Sequence, residues 1–146
     1  MSRFWKEIQH NIQKHRRHII CVGGEADSPP FAYTIGNWKL RLPELLVIGT
    51  FQGGFLNGLC DKLTNDRHSA FDEGELVDLG GKRPVKIITA NELAQRDYTI
   101  QAGQFYGTEE YPVQQVLIPD PNGRFPGDPN CQPPYCRVPV LARVKH

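Results

Sequence analysis

Twelve prolines and fourteen glycines punctuate the 146 residues, which limits the chain to short helices and strands joined by stiff turns. At this length residues 1–146 are expected to form a single globular domain, able to bury roughly 68–70% of the unfolded surface. Hydrophobic residues make up 39% and charged residues 23%, with 17 basic against 16 acidic. Such a balance excludes a disordered tail of one sign. It also argues against a duplex nucleic-acid partner, since duplex-binding proteins carry a strongly basic footprint. The sequence has no apolar run of about 18 residues, so no membrane partner is expected. Its opening, MSRFWKEIQHNIQKH, lacks the apolar stretch of a secretory signal, and the expected location is cytoplasmic.

Residues 2–17 read as a first helix with Ser2 as its N-cap. Phe4, Trp5, Ile8, Ile12 and His15 share one arc about 100° wide, a core-facing stripe. Arg3, Lys6, His10, Lys14 and Arg17 gather on the opposite face. Residues 18–23 read as a buried strand that takes Cys21 inside. In residues 31–36, Phe31, Tyr33 and Ile35 alternate onto one face. Residues 45–48 are apolar on both faces, which predicts a central strand. A helix over 52–64 follows, then a hairpin of 75–79 with 84–89 through Gly80-Gly81. A helix from 91 to 102, a strand at 113–118 and a last strand at 138–144 complete the pattern. Long crossovers alternate with hairpin-like pairs. The expected fold class is therefore α+β, with a mixed or mainly antiparallel sheet of five to seven strands and two or three helices.

Motifs for nucleophilic or phosphate chemistry are missing. Ser2, Ser28 and Ser69 are the only serines, and none sits in a Gly-x-Ser-x-Gly elbow. Gly53, Gly54 and Gly58 fit neither a Walker loop nor a dinucleotide fingerprint. Cys131 and Cys136 have an allowed zinc spacing, but no second ligand pair accompanies them. Two segments stand out instead. Glu44 heads an apolar strand, where an unpaired carboxylate would be costly, so it needs an arginine or loop amides as partner. The loop 119–126 sets Asp120 between prolines, permits positive φ at Gly123 and projects the Arg124 guanidinium, a fork suited to a carboxylate or phosphate.

These segments also carry a resemblance. The pattern Ala32-Tyr33-Thr34-Ile35-Gly36, Pro43-Glu44-Leu45, Gly49, Gln115-Val116-Leu117-Ile118-Pro119-Asp120 and Gly123-Arg124-Phe125-Pro126 resembles a bacterial family designated domain of unknown function 4262. The likeness runs from the first helix through the proline-rich loop. It implies a bacterial or phage source and supplies no activity. Ile118 and Gly127 depart from the pattern where aromatic residues are expected, which removes an aromatic wall beside the loop.

The residues favour a non-catalytic binding module that holds a small anionic, nucleotide-like ligand or a protein partner, acting by binding or sequestration. The expected site places the loop 119–126 beside the strand ends bearing Thr34 and Glu44. Tyr33 would stand on its wall, and Asp120, Gly123 and Arg124 along its rim. No cofactor or metal is expected in this reading, and a homo-oligomer is compatible with it. One alternative is a metal-dependent hydrolase or phosphodiesterase using Glu44, Asp120 and His68. Another is a zinc-supported structural protein built on Cys131 and Cys136.

Overall fold

The computed structural model describes residues 2–24, 28–49, 55–80 and 83–143. Ser2 caps α1 (Arg3–His15), its hydroxyl accepting the Trp5 N–H at 3.4 Å. Arg16, in left-handed backbone, closes that helix with its N–H on the Ile12 carbonyl at 2.8 Å. Among the described residues six strands follow: β1 (His18–Val22), β2 (Phe31–Ile35), β3 (Glu44–Ile48), β4 (Glu75–Val77), β5 (Val85–Thr89) and β6 (Val113–Leu117). They form one sheet in the order β1-β2-β3-β6-β5-β4. The β3–β6 pair is parallel and the other four pairings are antiparallel. This is the expected α+β class with a mixed sheet.

Strand alternation sends one apolar set to each face of the sheet. Tyr33, Ile35, Leu46, Ile48 and Val113 pack with Ile8 and Ile12 of α1 and with Ala102 of α3 (Ile100–Tyr106). Ala32, Leu45, Val47, Ile87 and Val116 pack with Leu56, Leu59 and Cys60 of α2 (Phe55–Asp61). Helices thus cover both faces. As the apolar run predicts, all of β3 is buried.

Several expectations are corrected. β1 is an edge strand, and Cys21 is exposed rather than internal. Phe4 is 43% exposed, and His15 is exposed as well. Ile8 and Ile12 carry the buried stripe, with Trp5 half-buried. Arg17 lies beyond the helix and is buried, donating to Asn57 at 3.2 Å and Asp61 at 3.3 Å. The helix expected over 91–102 is a π-helical turn (Ala94–Tyr98) followed by α3, which runs on to Tyr106. The helix expected over 52–64 begins outside the described residues. Its described part is α2, which continues as a π-helical segment (Lys62–Arg67). The turn residue Gly81 and the C-terminal His146 also lie outside the described residues.

The last strand does not form among the described residues. Only an isolated bridge joins Ala142 to Ala90. A side chain takes the place of the missing ladder: Gln115 donates to the Pro139 carbonyl at 2.7 Å and accepts the Leu141 N–H at 2.8 Å. On the other face of β6, Gln114 does the same for residue 71, with bonds of 2.8 Å and 3.1 Å to the Phe71 backbone. Two adjacent buried amides thus tie one loop to each face.

Candidate functional site

Glu44 is fully buried at the head of β3. Its Oε1 accepts the Thr34 hydroxyl at 2.8 Å and the Asn37 N–H at 3.2 Å. Its Oε2 accepts the N–H groups of Gly36 at 3.2 Å and Trp38 at 3.1 Å, together with the Tyr106 hydroxyl. The amides come from the start of a 3-10 turn (Asn37–Leu40), whose N-terminal N–H groups lack partners within the turn. Thr34 Oγ1 itself accepts the Leu45 N–H at 3.0 Å, so its one hydrogen is left for the carboxylate. Burial pushes the Glu44 carboxyl above the usual carboxylate range. The Tyr106 hydroxyl, the Trp38 N–H, the Thr34 hydroxyl and the Asn37 N–H pull it back.

Gly36 makes this cage possible. Its φ is +123°, and a Cβ there would stand 2.6 Å from the Arg16 carbonyl oxygen at the end of α1. Only glycine combines that backbone with such a close approach. The Gly36 N–H also reaches the Tyr106 oxygen at 2.8 Å, so the phenol accepts from the backbone while donating to Glu44. Burial and the neighbouring carboxylate push the Tyr106 phenol far above its ordinary value, which keeps it a donor.

Above this anchor the aromatic rings form a cluster. Tyr106 meets Trp38 edge-on at 5.0 Å, Phe105 at 5.3 Å and Tyr111 at 5.4 Å between centroids. A cleft of about 480 Å³ opens over it, lined by Trp5, Gln9, Lys39, Gln104, Phe105 and Tyr106. The Lys39 ammonium lies over the Phe105 ring, 5.4 Å from its centroid. Glu44 reaches this cleft only through Tyr106; it is a positioning residue. Tyr33 is likewise buried, its hydroxyl donating to the Gln101 side chain and accepting the Gln101 N–H at 3.3 Å. It supports α3 from beneath rather than standing on an open wall.

The six residues singled out in the sequence fall into two groups. Thr34 and Glu44 come together on neighbouring strands, while Tyr33, next to Thr34 in β2, bonds Gln101 instead. Asp120, Gly123 and Arg124 do not join them. β3 and β6 run parallel with Glu44 opposite Val113, and Asp120 follows seven residues further on, on the order of 20 Å away along the strand direction. The expected pocket between the two segments is therefore absent from the described residues.

The loop 119–126 is stiff, though its polar groups are spent on itself. Burial works against ionisation of Asp120. The N–H groups of Arg124, Gln132 and Asn122, at 2.8 to 2.9 Å, and the Arg124 charge outweigh it and hold the carboxyl below its ordinary value. Gly123 has φ +82° and sits over Arg83, whose guanidinium donates to the Pro121 carbonyl at 3.0 Å. Arg124 is exposed and donates to the Asn130 carbonyl at 3.2 Å. Sequence reasoning missed Gln9, Lys39, Gln104, Phe105 and Tyr106 and assigned Trp5 to the core. The available signal was the Phe105-Tyr106 pair, which lay just past the expected end of its helix.

Among the described residues no group of three or more His, Cys, Asp and Glu side chains is placed to hold a metal ion. No described helix is long and apolar enough to cross a membrane. The class defined by the sheet and its anchored aromatic cleft is an α+β domain with helices on both faces. A family model described as "Domain of unknown function (DUF4262)" matches residues 11–132, well over half of the chain, and the chain belongs to that family. No curated protein and no solved structure matches it.

Proposed function

We propose that the chain is a non-catalytic binding module that holds a small anionic, nucleotide-like ligand in the cleft between α1 and α3. The observation that carries this reading is the set of groups at the mouth of the cleft. Trp5 offers a ring face, Gln9 and Gln104 offer amides, and Lys39, over the Phe105 ring, offers a cation. A nucleotide needs those three chemistries: a stacking surface for the base, paired donors and acceptors for its edge, and a positive charge for phosphate. A cleft of about 480 Å³ lies in the size range of small-molecule sites. Four free cysteines suit a reducing, cytoplasmic setting.

The test is equilibrium binding of nucleoside mono- and diphosphates, the parent nucleosides and inorganic phosphate to the purified protein, with chromatography of the recovered ligand. Saturable binding of at least one nucleotide, stronger than its nucleoside and recovered intact, is expected. No binding anywhere in the panel, or recovery of a hydrolysed product, would overturn the reading.

A further inference from the structure

A second cleft, of about 580 Å³, opens where the end of β5, the π-helical turn before α3, the segment leading to β6 and the C-terminal segment meet. Asn91, Glu92, Gln95, Arg96, Glu109 and Arg143 line it. We infer that this cleft is a binding site for a small zwitterion of the α-amino-acid class, one carrying an ammonium and a carboxylate a few ångströms apart.

The inference rests on charges of both signs that share one cavity without neutralising each other. Among the described residues, neither Glu92 nor Glu109 forms an ion pair with Arg96 or Arg143. Arg96 pairs only with its exposed neighbour Asp97, at 3.6 Å. Arg143 is held by its Nε on the Ala90 carbonyl at 3.4 Å, which leaves its terminal nitrogens as a fork for a carboxylate. Gln95 braces the wall, its Nε2 donating to the Tyr111 carbonyl at 2.7 Å. The exposed carboxylates of Glu92 and Glu109, neither of them in an ion pair among the described residues, are the acceptors an ammonium would meet. The wall is already braced by the Ala90–Ala142 bridge and by Asn91, whose amide donates to the Ala142 carbonyl at 3.1 Å. A ligand would meet a preformed cleft.

The experiment is calorimetric titration of the intact protein with each of the common amino acids, then with the N-acetyl and carboxamide forms of the best binder. Saturable binding of at least one free amino acid is expected, weakened about tenfold or more when either terminus is blocked. Arg143→Ala and Glu109→Gln should each weaken it to a similar degree, while nucleotide binding at the Lys39 cleft stays as in the parent. The bridge at Ala142 is a backbone contact, so Arg143→Ala leaves it in place, and an unchanged circular-dichroism spectrum verifies that. No binding of any free amino acid, equal binding of blocked forms, or loss of binding only through unfolding would overturn the inference.

Discussion

Tyr106, at the end of α3, donates its phenolic hydrogen to the carboxylate of Glu44, 62 positions earlier in the chain at the head of β3. That bond joins a helix to the centre of the sheet and orients the ring that floors the Lys39 cleft. Its energetic role follows from the count of donors. Glu44 accepts five hydrogen bonds without exposure to water, so removing the acceptor strands several buried donors at once, whereas removing one donor does not.

The two ends of the bond should therefore differ sharply on substitution. Tyr106→Phe keeps the ring, and the Gly36 N–H retains its second acceptor in Glu44; a loss of about 0.5–1.5 kcal/mol is expected, with nucleotide binding preserved. Glu44→Ala should cost at least about 3 kcal/mol. Urea denaturation of both variants checks this, and equal losses would show that the cage is not the anchor described.

The adjacent glutamines of β6 make a second stability prediction. Gln115→Leu keeps an apolar-sized side chain in place but abandons the Pro139 carbonyl and the Leu141 N–H, and Gln114→Leu does the same to the Phe71 backbone. Each should cost about 2–4 kcal/mol, two unsatisfied backbone groups apiece. Native-state hydrogen exchange should report Gln115→Leu at Leu141 and leave the Phe71 amide protected. Protection lost equally at both sites would contradict separate clamps.

Much of this architecture was legible in the sequence. β3 announced itself as a run apolar on both faces, and Glu44 at its head demanded partners that the structure supplies from the 3-10 turn. The C-terminal segment misled because its apolar alternation reads as a strand. Pro139 has no N–H to offer a ladder, and the Gln115 side chain takes over the Pro139 carbonyl and the Leu141 N–H on either side of Val140. The helix expected over 91–102 stops short of Phe105 and Tyr106 because a π-helical turn adds about a residue per turn, and α3 carries both onto the cleft. The partnership of Tyr106 with Glu44 has no local signature at all. It depends on which strand lies beside which, and the parallel β3–β6 pair, which also separates Arg124 from Glu44, is a non-local choice.

Acid should destabilise the protein through His18. Burial lowers its pKa below 6.5 in the folded state, with Glu7 opposing. The Asn11 amide, 2.8 Å from Nδ1, donates to the neutral ring. Because the folded state holds this proton more weakly than the unfolded one, the contribution to stability is present above pH 6.5 and is lost as pH falls below it toward the folded value. Thermal midpoints of the parent should thus decline faster between about pH 7 and 5 than those of His18→Gln, whose amide cannot ionise. Parallel curves would remove His18 as the titrating group.

Binding variants distinguish the α1–α3 cleft from the proline-rich loop. Trp5 is half-buried against the core and Lys39 is exposed at the cleft; replacing either with Ala removes a group that faces the ligand, and a circular-dichroism spectrum matching the parent's verifies that Trp5→Ala still folds. A stacked base is worth about 1–3 kcal/mol, so Trp5→Ala should weaken nucleotide affinity about tenfold or more. Lys39→Ala should weaken nucleotides while leaving the nucleoside nearly unchanged, because the cation answers to phosphate alone. Arg124→Ala serves as the contrast. That residue is exposed at the far end of the sheet with its guanidinium on the Asn130 carbonyl, and neither affinity should move. Isothermal titration of the three variants decides the matter. If Arg124→Ala abolished binding while Trp5→Ala and Lys39→Ala bound as the parent does, the ligand would belong to the proline-rich loop, and the anchored aromatic cleft would be packing alone.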